Sequence, residues 1–307
     1  MDFKVRILGS SSALPTSERF PTAQTVLYNN VPYLIDCAEG TQVQLRKYKV
    51  PFGRLKNIFI SHLHGDHIYG IFGLLSSFNL LGRKQALNIY APEKLKEIYE
   101  TVLNLNNDVL KYKINFYPLN NKSKNKIFEN RYLEVYSFPL IHSKEVYGFL
   151  FQEKQKDRNV IKSKIADYNL SVKQILELKK GKNITLDNKP IKNQDLTIDP
   201  DKPRSYAFCT DTLPLDNLDK YIKGVNLLYH EATFGSELES LSKQTFHSTA
   251  GQAAEIAKIV KADKLIIGHF SSRYKSVEPL LSEAKRVFQN TIEATDGLLV
   301  DVLNENC

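Results

Sequence analysis

The sequence predicts a layered α/β protein with two sheets, and three observations carry that prediction. Short apolar runs alternate with stretches at helical spacing along most of the chain. Side chains suited to metal ligation stand at or just past the ends of several of those runs, where α/β proteins gather their sites. The composition supports a sizeable core: 307 residues, 42% of them apolar, with only 14 Gly and 12 Pro. Disordered, collagen-like and low-complexity classes are thereby excluded.

In chain order, Phe3–Leu8, Thr25–Tyr28 and Pro32–Ile35 read as strands joined by turns, and Asn57–Ile60 as a further short strand. Ile68–Leu81 is apolar on most sides and reads as a buried helix. Leu87–Ala91 is a strand, and Pro92 starts a helix over Glu93–Leu105. Tyr132–Pro139 alternates as a half-buried strand does. Tyr206–Cys209, Leu227–Tyr229 and Lys264–Ile267 are short strands. Ser248–Val260, with a Ser or Thr cap, and Val277–Phe288 are helices.

Residues 152–201 depart from this rhythm. They are polar, show little strand character and interrupt two strand regions, as an insertion does. Within Ser171–Asn193 six lysines (173, 179, 180, 182, 189, 192) face two acids, Glu177 and Asp187, a net +4. A short helix is expected over Val172–Lys180. Arg46–Lys56 and Lys111–Lys126 each carry five basic residues and no acid. The whole chain is only +8, too small an excess to mark a nucleic-acid binder by itself.

No apolar run approaches the ~18 residues that span a bilayer. The N-terminus, MDFKVRILGS, reads as a charged strand with no signal-peptide core. Cys37, Cys209 and Cys307 are odd in number and far apart, so no disulfide framework is implied. A cytoplasmic protein is the expectation.

The chemistry centres on Ser61-His62-Leu63-His64-Gly65-Asp66-His67. Three of only seven histidines fall within six residues here, beside an aspartate. Imidazole and carboxylate suit a borderline divalent metal such as zinc. His62 and His64 can share one ion; Asp66 and His67 suit a neighbouring one. Gly65 permits a close turn. Four ligands do not complete two sites, and His142, Asp211 and His269 each follow a predicted strand. Asp211 could bridge two cations roughly 3.5–4 Å apart. Asp36, also at a strand end, could orient a ligand imidazole.

With these residues, LIDCAEGTQ (Leu34–Gln42), CTDT (Cys209–Thr212), HEAT (His230–Thr233), HST (His247–Thr249) and GHFSSRY (Gly268–Tyr274), the chain resembles the metallo-β-lactamase superfamily. Within it, nearly the whole chain resembles the ribonuclease Z family of tRNA 3′-processing endonucleases. The resemblance implies an αββα sandwich in a single domain over 1–307. It makes 152–201 a protruding flexible arm that grips tRNA, with Lys173, Lys179, Lys180 and Lys182 as contacts. It also implies a homodimer, precursor tRNA as partner and two Zn2+ per subunit, with Mn2+ as an alternative. By position, His62, His64 and His142 resemble ligands of one zinc, Asp66, His67 and His269 ligands of the other, and Asp211 the bridge. Many members carry a Gly-Pro pair before the arm's basic stretch, where this chain has Tyr168-Asn169-Leu170-Ser171-Val172.

Phosphodiester hydrolysis needs an activated water, neutralised phosphoryl oxygens and a protonated leaving group, and paired zinc ions serve the first two. The resemblance implies that Asp66 accepts the water proton. It implies that His247 protonates the leaving 3′-oxygen while Glu231 holds its imidazole. The products would be a tRNA 3′-hydroxyl and a 5′-phosphorylated trailer. Two rivals share parts of this pattern: another phosphodiesterase or hydrolase of the same fold, and a non-catalytic RNA-binding protein on that fold. The basic insertion with HEAT and HST argues against the first, and the intact ligand set against the second.

Overall fold

In a computed structural model, residues 2–105, 110–186 and 189–304 are described. Asp187 of the basic insertion and Cys307 lie outside the described residues. The chain divides into two compact units. The first comprises residues 1–129, 134–151 and 204–307, the second Asn130–Leu133 with Gln152–Pro203.

The first unit holds two seven-stranded sheets. One runs, in hydrogen-bonded order, Leu299–Asp301, Phe3–Gly9, Ala23–Tyr28, Val31–Ile35, Asn57–Phe59, Leu87–Pro92, Ile114–Leu119. The other runs Thr291–Glu293, Lys264–Gly268, Leu227–Glu231, Ser205–Cys209, Tyr147–Glu153, Leu133–Pro139, Asn125–Glu129. Period-two burial is clearest at the antiparallel strand Phe3–Gly9, where Phe3, Val5 and Ile7 are buried and Lys4 and Arg6 are not. The central strand Asn57–Phe59 is buried throughout, as a parallel strand covered on both faces must be.

Aromatic rings fill the space between the sheets. Phe59 meets Phe149 and Phe151 at centroid distances of 5.7 and 5.3 Å, and Tyr33 meets Phe151 at 6.1 Å. On its other face the first sheet packs Leu8, Leu34, Ile58 and Ile89 against Leu45, Ile71, Leu74, Leu75 and Tyr99 of the helices Thr41–Lys47, Gly70–Leu80 and Lys94–Leu105. The helices Ala250–Ile259 and Glu278–Val287 pack on the second sheet. The layers are therefore helix, sheet, sheet, helix: an αββα sandwich.

Several elements differ from expectation. The single helix over Ile68–Leu81 is two, Gly65–Ile68 and Gly70–Leu80, and Leu80 and Leu81 are exposed. Pro92 ends a strand, paired with Leu119, and does not start the helix. Its missing N–H is tolerated there because the ladder stops. The basic stretch 111–126 contains the whole of an unforeseen strand, Ile114–Leu119. Thr249 caps Ala250–Ile259 through a reciprocal box with Gln252.

The second unit has more regular structure than its polarity suggested. Asn159–Val160 pairs with Thr197–Ile198, and Ile184–Leu186 with Lys189–Ile191. Helices span Lys162–Asp167, Val172–Lys179 and Asn193–Leu196. Leu170, Leu178, Ile184 and Leu196 form its own small core. Asn193 ties it together, its amide donating to the carbonyls of Leu178 (2.7 Å) and Lys182 (2.9 Å). Lys173, Lys179, Lys180 and Lys182 are all exposed.

Candidate metal centre and active site

Strand ends of the two sheets deliver the site. Asn57–Phe59 leads to His62 and His64, and Gly65–Ile68 carries Asp66 and His67. His142 follows Leu133–Pro139, Asp211 follows Ser205–Cys209, Glu231 ends its strand, and His269 follows Lys264–Gly268. Asp36, Asp211, Phe246 and His269 all take left-handed backbone angles, with φ from 47° to 60°. Such angles cost of order 1–3 kcal/mol each and persist where surrounding structure holds them. Gly65 itself does not have a positive φ; the ring of Tyr69 occupies the space a Cβ would need, 2.2 Å from it.

Two donor groups that share Asp211 result, with a third set, Glu231, His247 and His269, beside them. His62, His64, His142 and Asp211 form one; Asp66, His67, Asp211 and His269 form the other, all with donor atoms within 4.8 Å of one another. In the first, His64 Nδ1 lies 3.0 Å from His62 Nε2 and 3.2 Å from His142 Nε2. In the second, His67 Nε2 and His269 Nε2 lie 3.3 and 3.2 Å from Asp211 Oδ1, and 3.4 and 3.5 Å from Asp66 Oδ2. Asp211 Oδ2 faces the first group, 3.6 Å from His62 Nε2 and 3.9 Å from His142 Nε2. One carboxylate thus offers an oxygen to each group. Thr210 Oγ1 donates to its Oδ1 at 2.7 Å.

The outer nitrogens fix the tautomers. His142 Nδ1 donates to the Phe246 carbonyl at 3.0 Å, leaving a lone pair on Nε2. Ser61 Oγ donates its one proton to Asp36 Oδ2 (2.9 Å), so it accepts from His62 Nδ1 (3.1 Å). Asp36 Oδ2 also accepts from His67 Nδ1 at 2.7 Å, and Asp36 Oδ1 from the Ser61 N–H at 2.7 Å. Thr233 Oγ1 donates to Glu231 Oε2 (2.7 Å) and accepts from His269 Nδ1 (2.9 Å). Carboxylate, hydroxyl and carbonyl partners of this kind orient metal-bound histidines.

These residues fit divalent metals. His67 Nε2 and His269 Nε2 are buried without hydrogen-bond partners, a cost avoided if each gives its lone pair to a cation. Ligands around a tetrahedral centre with bonds of about 2.0–2.1 Å stand about 3.3 Å apart, close to the spacings here. Burial, reinforced by neighbouring imidazoles, lowers the His62 pKa well below its ordinary value, and burial likewise lowers His64 and His142, favouring the neutral ligating form. Burial opposes charge at His67, but Asp211, Asp66 and Asp36 outweigh it and raise its pKa. Burial opposes charge at Asp66 and Asp211 too, and the facing imidazoles hold both well below the carboxylate range.

Beside the donor groups stands a buried ion pair. Glu231 Oε1 accepts from His247 Nδ1 and the Thr212 N–H, each at 2.9 Å, and its Oε2 from the Thr233 N–H at 3.1 Å. Burial alone would lower the His247 pKa; Glu231 outweighs it and raises it to about 9. Burial would raise Glu231, and His247 reverses that. The His247 ring lies 5.4 Å from His269 and 5.2 Å from His142. His247, Thr233, His142 and His269 line a cleft of about 620 Å³ whose wall also includes Ser12, Phe234 and Arg273. His230 is apart from it, buried, with Nδ1 on the Glu231 carbonyl at 2.8 Å.

The sequence therefore named every donor in both groups. It left Ser61, Thr233 and the Phe246 carbonyl without a role, although the first two stand one and two residues from residues it singled out.

The chain is 42% identical over 301 residues to Ribonuclease Z of Bacteroides fragilis, covering 98% of this chain and 99% of that protein. The chain belongs to the ribonuclease Z family. It is also 43% identical over 299 residues to Ribonuclease Z of Cytophaga hutchinsonii, covering 97% of this chain and 95% of that one. Its fold matches human tRNase Z, short form, at a TM-score of 0.72 and 24% identity, over 98% of this chain and all of that one. A family model described as Anti-Pycsar protein Apyc1 matches residues 3–186, so the chain belongs to that family as well. That match ends before Asp211, Glu231, His247 and His269, whereas the ribonuclease Z relatives span the whole site.

Proposed function

We propose that the chain removes 3′ trailers from tRNA precursors as a metal-dependent endoribonuclease. The observation that carries this reading is the Glu231–His247 pair set beside two metal-competent groups sharing Asp211, in a chain related to Ribonuclease Z along its full length.

In this reading His62, His64, His142 and Asp211 hold one Zn2+, and Asp66, His67, His269 and Asp211 a second; Mn2+ suits the same donors. Held by these residues, two divalent cations would lower the pKa of a water and neutralise charge on the phosphoryl oxygens. The residues do the rest. Asp66 takes the proton of the attacking water. Glu231 occupies His247 Nδ1, so Nε2 is the nitrogen that protonates the departing 3′-oxygen. Water adds its oxygen to phosphorus, the P–O3′ bond breaks, and the products are a tRNA 3′-hydroxyl and a trailer with a 5′-phosphate. The donors to Glu231 from Thr212 and Thr233 keep its carboxylate facing the imidazole. Residues 152–201, with Lys173, Lys179, Lys180 and Lys182, act as the tRNA-gripping arm. Exposed Val43 and Tyr69, which line one cleft with Gln42 and Gly73, support a homodimer through that face. No helix among the described residues is long and apolar enough to cross a membrane; cytoplasm is the compartment we assign.

Incubation with a 3′-extended precursor tRNA, with mapping of the cut, tests the proposal. Scission leaving a 3′-hydroxyl at the end of the acceptor stem is expected. The Apyc1 match favours a second reading, another phosphodiesterase on this fold. Hydrolysis of bis(p-nitrophenyl) phosphate with precursor left intact would select it.

A further inference from the structure

Three cationic segments that are distant in sequence meet at one end of the first sheet. The strands Asn57–Phe59, Leu87–Pro92 and Ile114–Leu119 are parallel and in register, Asn57 opposite Asn88 and Asn88 opposite Asn115. Lys56 and Lys113 stand immediately before the outer two, and their carbonyls accept from the Asn88 and Leu87 N–H groups at 2.8 and 2.9 Å. Arg83 and Lys84 lie in the turn before the middle strand. Lys111 is pinned where its N–H donates to Asn79 Oδ1 at 2.8 Å. Lys56, Lys84, Lys111 and Lys113 are exposed, and no residue of 46–60, 81–90 or 110–119 is acidic. Among the described residues none of these cations has an ion pair. The strand starts beneath them carry an amide ladder, Asn115 donating to Asn88 and Asn88 to Asn57, each at 2.9 Å, in place of carboxylates.

Arg83 differs from an ordinary surface arginine. Its Nε donates to the Gln85 carbonyl at 2.7 Å and its Nη2 to the Ala86 carbonyl at 3.0 Å. Its guanidinium lies 4.6 Å from the Phe78 ring centre and 5.5 Å from that of Tyr112. It is therefore held in place before any ligand arrives, which lowers the entropic cost of using it. It borders a cleft of about 330 Å³ with Phe52, Phe78, Leu81 and Lys84. Aromatic walls beside fixed and mobile cations suit a nucleobase with its phosphates.

We propose that this end of the first sheet is a second RNA-contact surface, in which Lys56, Lys84, Lys111, Lys113 and Arg83 hold phosphates of the same RNA whose 3′ end is cut. The proposal rests on the ribonuclease reading above. The surface lies at the N-terminal ends of three parallel strands, one of which, Asn57–Phe59, leads at its C-terminal end to His62 and His64. Six residues from Lys56 to His62 at ~3.3 Å each put it within about 20 Å of the cut, a span that a structured RNA covers. Contacts there would strengthen binding without touching the chemistry.

The test uses the metal-loaded full chain and the triple substitution Lys56→Gln, Lys84→Gln, Lys113→Gln, none of which touches the catalytic cleft. Affinity for a 3′-extended precursor tRNA, and for an RNA hairpin without a trailer, is measured from low to moderate salt. The slope of log affinity against log salt should fall in magnitude by about 2–3 for the triple variant, with single-turnover cleavage at saturating RNA unchanged. The matching Lys→Arg triple variant should restore the slope. Equal affinities and slopes for the parent and the Gln variant would overturn the proposal. So would unchanged RNA binding with lost adsorption to vesicles of anionic lipid, which would make the patch a membrane contact. If the parent protein leaves precursor intact, the ribonuclease reading fails, and the hairpin arm still decides this one.

Discussion

Asp36 is the residue whose replacement discriminates best between orienting a metal ligand and merely packing. It is fully buried. It accepts from the Ser61 N–H (2.7 Å), Ser61 Oγ (2.9 Å) and His67 Nδ1 (2.7 Å). Alanine strands the first and third donors, because the hydroxyl can rotate and they cannot. At about 1–3 kcal/mol for each orphaned buried group, the cost is about 2–6 kcal/mol, a large share of a typical 5–15 kcal/mol of stability. Alanine also fits the left-handed backbone at Asp36 (φ 56°) less well than asparagine does. Asp36→Asn separates the two roles. Asparagine keeps the shape and one acceptor, but turns an N–H toward His67 Nδ1. His67 must then carry its proton on Nε2, the nitrogen that faces Asp66 and Asp211. The expected result is a 10–100-fold loss of metal affinity, about 1.4–2.7 kcal/mol, with a metal-free melting temperature close to the parent's. Chelator competition for Zn2+ and melting of the metal-free protein measure the two quantities. An Asp36→Asn protein that binds metal as tightly as the parent would refute the tautomer argument.

Other expectations follow from the same contacts. His247→Ala should lower turnover by about 10²–10⁴ at saturating substrate while metal content, read by elemental analysis, stays the same; a parent-like rate removes the acid role. Because Glu231 raises the His247 pKa to about 9, the protonated acid is present at neutral pH and is lost as pH rises through about 9. In Glu231→Gln that loss should move toward the ordinary histidine value near 6.5, and an unmoved alkaline limb in a pH–rate profile contradicts the pairing. Gly70→Ala would set a Cβ 1.9 Å from the Ala38 carbonyl oxygen, so it should cost about 1–3 kcal/mol in denaturant unfolding. Burial pushes both the Cys37 and Cys209 thiols up, so a thiol reagent should reach them only after unfolding.

Local patterns were read correctly where local physics decides. Phe3–Leu8 alternates because one face meets the core, and it is a strand. The Ser171–Gln174 and Thr249–Gln252 capping boxes start helices within a residue or two of where the sequence placed them. The misses share a cause. Ile114–Leu119 is half-exposed, shows no clear alternation and carries Pro118, and becomes a strand because Leu87–Pro92 offers it a ladder. Thr291–Glu293 and Leu299–Asp301 have three residues each, too few for a period to show. The break at Tyr69 between two helices is invisible to an apolar run that continues through it.

What the sequence determined by itself was the donor inventory. Five of the seven histidines, with Asp66 and Asp211, are residue types that could hold a metal, and the HxHxDH spacing singles them out because few other uses put such ligands so close together. Tertiary structure alone decided how those donors act. Asp211 reaches both groups because its strand ends between those that deliver His142 and His269. Asp36, Thr233 and the Phe246 carbonyl choose which nitrogen of four rings keeps its proton. A hydrogen bond across 25 to 104 residues of chain leaves no periodicity to read, since it depends on where two distant strand ends come to rest.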